Sequence, residues 1–356
     1  MKKYNVAVVG VGVVGIEMLR VLRQRDFPVN QLKVFARSAR DIEVDGQRYS
    51  VEPISADGFN GIDIALFAGT EGEKGAAVTY AADAVKRGAV VIDNGADFRM
   101  DPKVPLVVPE VNGKDVYSVR NWLINGSKDI SNGAKKHKGI IANPNCSTIQ
   151  MVVALSPIHK KVGIKRIIVT TLQASSGAGK SAVEQLKEET GLISGGGCEN
   201  VHVKAQAKGM PQQLAYNVFP HIGSPAECDY TNEEWKLVKE THKIMHDDKI
   251  KISATTVRVP VRTGHSEAVY IETKKPIEPD KVRQLLTKSP GIIVIDDLKN
   301  NLYPMPKDVE GKDETFVGRI RKDPFVKNGL WLWVVADNLR KGAATNAVQI
   351  AEELIK

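Results

Sequence analysis

The first two dozen residues constrain the fold more than any other stretch. Asn5-Val-Ala-Val-Val-Gly10 is a short apolar run closed by glycine, and Gly10-Val-Gly12-Val-Val-Gly15 then opens a segment, Ile16 to Arg23, whose apolar residues recur at helical spacing. A strand, a glycine turn and a helix in that order are the context of a dinucleotide-binding βα unit. Glycines let the backbone approach a pyrophosphate, and the helix N-terminus favours its charge. Gly10, Val11, Gly12, Val13, Val14 and Gly15 are therefore candidate cofactor contacts; the plainer alternative is a tight strand-to-helix turn that needs small residues. Further strands are expected at 32–36, 62–67 and 89–93, with a helix near Gly75 to Lys86 between the last two. Such alternation predicts an α/β fold with a Rossmann-like, doubly wound parallel sheet.

The end of the second strand bears on which dinucleotide is held. An acidic side chain there would hold the ribose 2′-hydroxyl of NAD. This chain instead reads Arg37-Ser38-Ala39-Arg40. A guanidinium and a hydroxyl suit a 2′-phosphate, so Arg37 and Ser38 point to NADP; the alternative is a solvated basic loop.

At 356 residues, two domains are expected. The net charge of +8 could suggest nucleic acid, but no dense Lys/Arg block or aromatic-interleaved patch appears. Attraction of small anions is the reading preferred. No run of about 18 apolar residues is present, so no membrane span is expected, and Met1-Lys-Lys-Tyr-Asn5 leads directly into a strand, so neither is a signal peptide. Cys146, Cys198 and Cys228 make neither a disulfide framework nor a metal pattern. A reducing cytoplasm is the expected location; Cys198 and Cys228 are read as structural.

Cys146 differs. Pro144 pushes Asn143 out of the helical region, so 143–145 reads as a turn. An amphipathic helix is expected from Ser147 to about Lys161, which puts Cys146 at a helix start among Asn, Ser and Thr. Free N–H groups and the dipole there favour a thiolate nucleophile over a buried core thiol. Downstream, Lys165–Leu172 reads as a strand, and Ala174-Ser-Ser-Gly-Ala-Gly-Lys-Ser181 after it fits a relaxed P-loop, with Ile292–Asp296 as a conceivable magnesium-binding strand. The missing first glycine and the preceding dinucleotide half argue against an ATPase. Thr231 is expected to cap a helix in which Glu233 and Lys236 share a face. Residues 256–272 read as two strands joined by a tight turn, with Arg258, Pro260 and Arg262 on one face and His265 at the turn. Beside a nucleophilic Cys, His265 becomes the leading acid/base. Strands are expected at 316–321 and 330–335, and a final helix from Asp337 with small residues on one side.

Asn143-Pro-Asn-Cys-Ser-Thr-Ile-Gln150 resembles the active-site signature of aspartate-β-semialdehyde dehydrogenases, and further segments match in order from residue 5 to about 352. Gln173 lies 27 residues after Cys146, Arg258 seven before His265, and Glu233 25 before Arg258, as in that family. The glycine turn is one residue shorter than the family's usual one. The resemblance implies an NADP-dependent enzyme that converts L-aspartyl 4-phosphate to L-aspartate 4-semialdehyde through a Cys146 thioacyl intermediate. It implies Gln173 and Asn145 against the substrate, Arg99 and Lys236 at the phosphate, Glu233 at the amino group and Arg258 at the carboxylate. Ser176, Gly177 and Asn338 would lie on the cofactor side. The architecture implied is an NADP-binding domain, 1–145 plus 337–356, and an α+β catalytic and dimerisation domain with a mixed sheet, 146–336, assembled as a homodimer or dimer of dimers. Residues 113–135 read as an insertion. N-acetylglutamyl-phosphate reductase is the near alternative, although its nucleophile usually follows Gly, where this chain has Asn145.

Overall fold

The computed structural model describes residues 2–69, 72–117, 119, 139–195 and 210–356. The chain divides into two units, Met1–Asn145 with Ala343–Lys356, and Cys146–Gly342. Sequence alone places the chain's return to the first unit at Asp337. It falls at Ala343 because Asp337 accepts the Gly311 N–H at 2.8 Å and Arg340 pairs with Asp313 at 2.8 Å, both within the second unit. Cys198 and most of the 113–135 insertion lie outside the described residues.

In the first unit, β1 (Tyr4–Val9), β2 (Val29–Ala36), β3 (Arg40–Val44), β4 (Gln47–Pro53), β5 (Ile64–Phe67), β6 (Val90–Asp93) and β7 (Ile140–Ala142) form one sheet in the order β3-β4-β2-β1-β5-β6-β7. Every pairing is parallel except β3 with β4. β5 and β6 are buried at every residue, as strands covered on both faces must be. Helices α1 (Val13–Gln24) and α2 (Ala76–Lys86) and the C-terminal helix, Thr345–Ile355, belong to this unit. Met18, Leu19 and Leu22 of α1 share a core with Val8, Leu66, Ala347 and Ile350. The strand order reverses beside β1, so the glycine turn and the start of α1 occupy the switch point where open α/β sheets bind ligands. The β3–β4 hairpin was not expected, although Asp45-Gly46 is a strong hairpin signal. Both have positive φ, 49° and 78°, as a type I′ turn requires.

The second unit contains α3 (Cys146–Val162), β8 (Ile164–Gln173), α4 (Lys180–Ser194), α5 (Asn232–Met245), β9 (Lys251–Arg258), β10 (His265–Thr273), α6 (Pro279–Thr287), β11 (Ile292–Val294), β12 (Thr315–Lys322) and β13 (Gly329–Ala336). Its mixed sheet runs β11-β12-β13-β10-β8-β9. Two expectations need correcting. β9 and β10 are not a hairpin: β8 lies between them, parallel to β9 and antiparallel to β10. The 259–264 link therefore passes over the end of β8, where Gln173 accepts the Val259 N–H at 3.1 Å and Val261 accepts the Ser175 N–H at 2.8 Å. Nor is α3 amphipathic, since Ser147 to Ser156 are all buried, the pattern of a helix covered all round. The cap at Thr231 is as expected. Its hydroxyl accepts the Glu234 N–H at 3.3 Å while the Glu234 carboxylate accepts the Thr231 N–H at 2.8 Å, a capping box that starts α5.

Candidate active site

Because the 259–264 link crosses the end of β8, three chain segments meet there: Gln173 ends β8, Arg258 ends β9 in register with it, and His265 begins β10. His265 is fully buried. Its Nδ1 accepts the Ala174 N–H at 3.0 Å. A neutral imidazole that accepts at Nδ1 carries its proton on Nε2. That Nε2 has no hydrogen-bond partner among the described residues. Burial first, then the Arg258 charge, pushes the imidazole pKa down to about 3, with Glu233 opposing. His265 is thus held as a neutral donor. Gly177 lies against it: a Cβ there would sit 3.1 Å from Nε2 and 3.5 Å from Nη1 of Arg258.

Arg258 is 3% exposed. Its Nη1 donates to the Ala174 carbonyl at 2.5 Å, while its Nε has no partner. Phe219 pins its backbone, donating to the Arg258 carbonyl at 3.1 Å and accepting its N–H at 2.9 Å. Burial pulls the guanidinium below its ordinary pKa; Cys146 and then Glu233 are near enough to oppose this electrostatically. Glu233 accepts from Gln173 Nε2 at 3.3 Å and from Lys236 Nζ at 3.2 Å. Gln173, Glu233 and Lys236 therefore form a continuous polar run.

Cys146 is the first residue of α3 and is partly exposed. Gly342 packs on it so closely that a Cβ would lie 2.9 Å from the Cys146 Cβ. Gly342 belongs to a π-helical turn, Arg340–Ala344, a distortion often found at functional sites. The small residues after Asp337 point to a close approach; that it is to Cys146 was not legible. Asn338 braces the His265 loop: its Oδ1 accepts the Gly264 N–H at 2.9 Å and its Nδ2 donates to Ser176 Oγ at 2.9 Å. Its side chain is thus already engaged in holding Ser176 and the turn before His265.

The P-loop alternative fails on geometry. The N–H groups of Ser175, Ser176, Gly177 and Gly179 all bond protein carbonyls and so do not face a phosphate, and Lys180 pairs with Glu184 at 3.6 Å. Asp296 is taken up by Arg283 at 2.8 Å. Arg262 does not share a face with Arg258, since β9 ends at Arg258; it is exposed and pairs with Glu310. Cys228 is exposed, so it is no core thiol.

In the first unit, a Cβ on Gly15 would strike the Gly10 carbonyl oxygen at 1.8 Å, and one on Gly10 would meet the Ala68 oxygen at 2.9 Å. These two glycines serve the protein's own packing. Gly12 has an ordinary φ of −74°, and a Cβ there would meet nothing within 4 Å. Gly12 is the cap position of α1, where no side chain bonds the helix N-terminus. That open, uncapped turn fits a pyrophosphate. Val11, Val13 and Val14 lie on it half-buried, and Val11 and Val14 pack on the core. Arg37 and Ser38 are exposed just after β2, and Arg40 donates to Ser38 Oγ at 3.2 Å. Arg99 donates to the carbonyls of Asn143 at 2.9 Å and Asn94 at 2.8 Å. The Asn143 side chain bonds Asn94 at 2.6 Å and Asn346 at 2.7 Å, and buried Asn145 precedes Cys146. Asn143 and Asn346 were not singled out from sequence, because a pair 203 residues apart has no local signal. Among the described residues no three His, Cys, Asp or Glu side chains group as a metal site, and no helix is long and apolar enough to cross a membrane.

Residues 5–119 match the family described as semialdehyde dehydrogenase, NAD binding domain, and residues 155–341 match semialdehyde dehydrogenase, dimerisation domain. The chain is 52% identical to the aspartate-semialdehyde dehydrogenase of Aquifex aeolicus over 99% of this chain and 98% of that protein. It is 45% identical to that of Bacillus subtilis, over 99% and 97%. Among solved structures, aspartate semialdehyde dehydrogenase II of Vibrio cholerae complexed with ASA superposes with a TM-score of 0.86 at 41% identity, covering 100% of this chain and 99% of that one.

Proposed function

The chain belongs to the aspartate-semialdehyde dehydrogenase family, and on that premise we propose how its own residues perform the reversible reductive dephosphorylation of L-aspartyl 4-phosphate to L-aspartate 4-semialdehyde. The observation that carries the reading is the unpartnered Nε2–H of His265, fixed by the Ala174 N–H beside Arg258. The Cys146 thiolate attacks the acyl carbon, the carbonyl oxygen becomes an oxyanion, and its collapse expels phosphate and leaves a thioester on Sγ. Nε2–H donates to that oxygen, and again to the oxyanion of the second tetrahedral stage, whose collapse breaks the C–S bond and frees the aldehyde. When bound, the dinucleotide supplies the hydride for the step between.

Arg258 holds the substrate carboxylate through its open Nε edge, a charge-assisted contact in a desolvated place. Glu233 takes the amino group, Gln173 orients the acyl portion, and Asn145 lies beside the nucleophile in the chain. Lys236 and Arg99 serve the phosphate. The glycine turn and α1 take the pyrophosphate, and the Ser176–Gly177 turn with Asn338 forms the nicotinamide-side wall. Arg37 and Ser38 favour NADP over NAD, because a 2′-phosphate finds a cation and a hydroxyl there and no carboxylate. The mixed-sheet unit serves a homodimer, alone or paired into a tetramer, and a thiolate nucleophile suits a reducing cytoplasm.

The test is phosphate-dependent reduction of NADP and NAD with aspartate semialdehyde and, separately, N-acetylglutamate semialdehyde. Turnover with the first semialdehyde is expected, with NADP bound about tenfold or more tightly than NAD, the effect of one charge-assisted contact of roughly 1.5–3 kcal/mol. Arg37→Ala is expected to erode that preference. Turnover with the acetylated substrate alone would refute the assignment, and equal affinities would refute the cofactor reading.

A further inference from the structure

Gln150 and Glu267 are buried polar residues that the chemistry above leaves unused. Gln150 lies four residues after Cys146 on α3, so the two share a helix face. Its Nε2 donates to the backbone carbonyl of His265 at 3.3 Å, while its Oε1 is buried with no partner. Glu267 lies two residues after His265 on β10, so both belong to one face of the sheet. Its cross-strand neighbours are Thr171 on β8 and Val334 on β13. Glu267 is fully buried, and neither carboxyl oxygen has a hydrogen-bond partner among the described residues. Gln150 Oε1 is thus an acceptor without a donor, and Glu267 is a carboxyl group without a partner on which, besides burial, Gln150 is the side chain that acts.

We propose that Glu267 and Gln150 form a neutral hydrogen-bonded pair that positions the helix start bearing Cys146 against the strand bearing His265. The protonated carboxyl donates to Gln150 Oε1, and the Gln150 amide keeps its bond to the His265 carbonyl. A carboxylate could not do this: it would compete for the Gln150 N–H and draw it off His265. Burial also acts in the required direction, holding the Glu267 acid well above the ordinary carboxylate range, with Gln150 opposing. An uncompensated charge in this site would be costly, whereas a neutral acid is the form that can donate. The inference rests on the roles given to Cys146 and His265 above. It makes Glu267 a positioning residue, acting through Gln150 and touching no substrate.

The test uses infrared difference spectroscopy and kinetics on the full chain. Wild type minus Glu267→Gln, at neutral pH, is expected to show the C=O stretch of a protonated carboxylic acid. Glu267→Gln keeps a neutral donor and is expected to hold kcat within about threefold. Glu267→Leu removes the donor at similar volume. It is expected to lower kcat about tenfold or more with little change in either KM, as lost alignment does. Absence of the acid band, or a Glu267→Gln variant as impaired as Glu267→Leu, overturns the neutral pair. Wild-type kcat in Glu267→Leu overturns the positioning role. If Glu267→Leu does not fold, the band and the Glu267→Gln rate still decide. The band is independent of the reaction assigned; were wild type inactive on aspartate semialdehyde, that assignment alone would fail.

Discussion

Replacing Gly177 with alanine tests the geometry around His265 most directly. Gly177 has no positive φ, so its backbone accepts an L-residue without strain. The new methyl carbon would lie 3.1 Å from both Cε1 and Nε2 of His265. Comfortable carbon contacts begin at about 3.5 Å, so the overlap is a few tenths of an ångström. The ring has little freedom to yield, being fully buried and tethered through Nδ1 to the Ala174 N–H at 3.0 Å. Arg258 Nη1 closes another direction at 3.5 Å from the same carbon. The shift therefore falls on Nε2, the atom proposed to meet the developing oxyanion. A misplacement of about 1 Å costs roughly a hundredfold in rate, so a displacement of about half that is expected to cost roughly tenfold. Global stability should fall by about 1–3 kcal/mol, the usual cost of overpacking one methyl. The assay is steady-state turnover with semialdehyde, phosphate and NADP varied in turn, beside a thermal melt. The expected result is a lower kcat in a protein that still melts cooperatively, a few degrees lower at most. Wild-type kcat, or a rise confined to the KM for NADP, would show that Gly177 serves only the cofactor and that the ring is not constrained as argued.

Gly342→Ala is expected to abolish turnover while the protein still folds, because its methyl would sit 2.9 Å from the Cys146 Cβ; retained alkylation kinetics at Cys146 together with normal kcat would contradict this. Lys236→Ala should chiefly raise the KM for phosphate and Arg258→Ala chiefly impair use of the semialdehyde, by several kcal/mol if its carboxylate is desolvated; the reverse pattern in paired KM measurements would swap the two anion sites. The buried imidazole also sets a pH dependence. His265 has a folded pKa of about 3 against about 6.5 unfolded, so between these values the unfolded chain binds the extra proton and stability is lost as pH falls from about 6.5. Denaturant melts of His265→Asn should lack several kcal/mol of that acid loss; a parallel profile to wild type would refute it. Glu267 has the opposite sign: its folded pKa is raised, so stability is lost as pH rises above the unfolded value, and Glu267→Gln should gain on wild type toward alkaline pH in the same melts.

What could be read from residues alone was what short-range physics dictates. The βα unit at Gly10–Gly15 follows from steric freedom and helix periodicity within twenty residues. The Thr231 cap follows from one hydroxyl at the start of a helical pattern, to which the structure adds the Glu234 carboxylate. Cys146 at a helix start follows from Pro144 and the turn before it. Tertiary structure decided what depends on which segments become neighbours. Residues 256–272 carry the local marks of a hairpin, yet β8 lies between the two strands, because β9 gains a parallel partner along its whole length while the 259–264 link finds its hydrogen bonds over the end of β8. The same crossing brings Ala174 to His265, 91 residues away, and so chooses the imidazole tautomer that no pattern in the sequence encodes. Burial of Glu267 is likewise a property of α3 and β10 together. Alternation along β10 can assign the carboxyl to a face, but only a covered face removes the water that would otherwise keep it ionised.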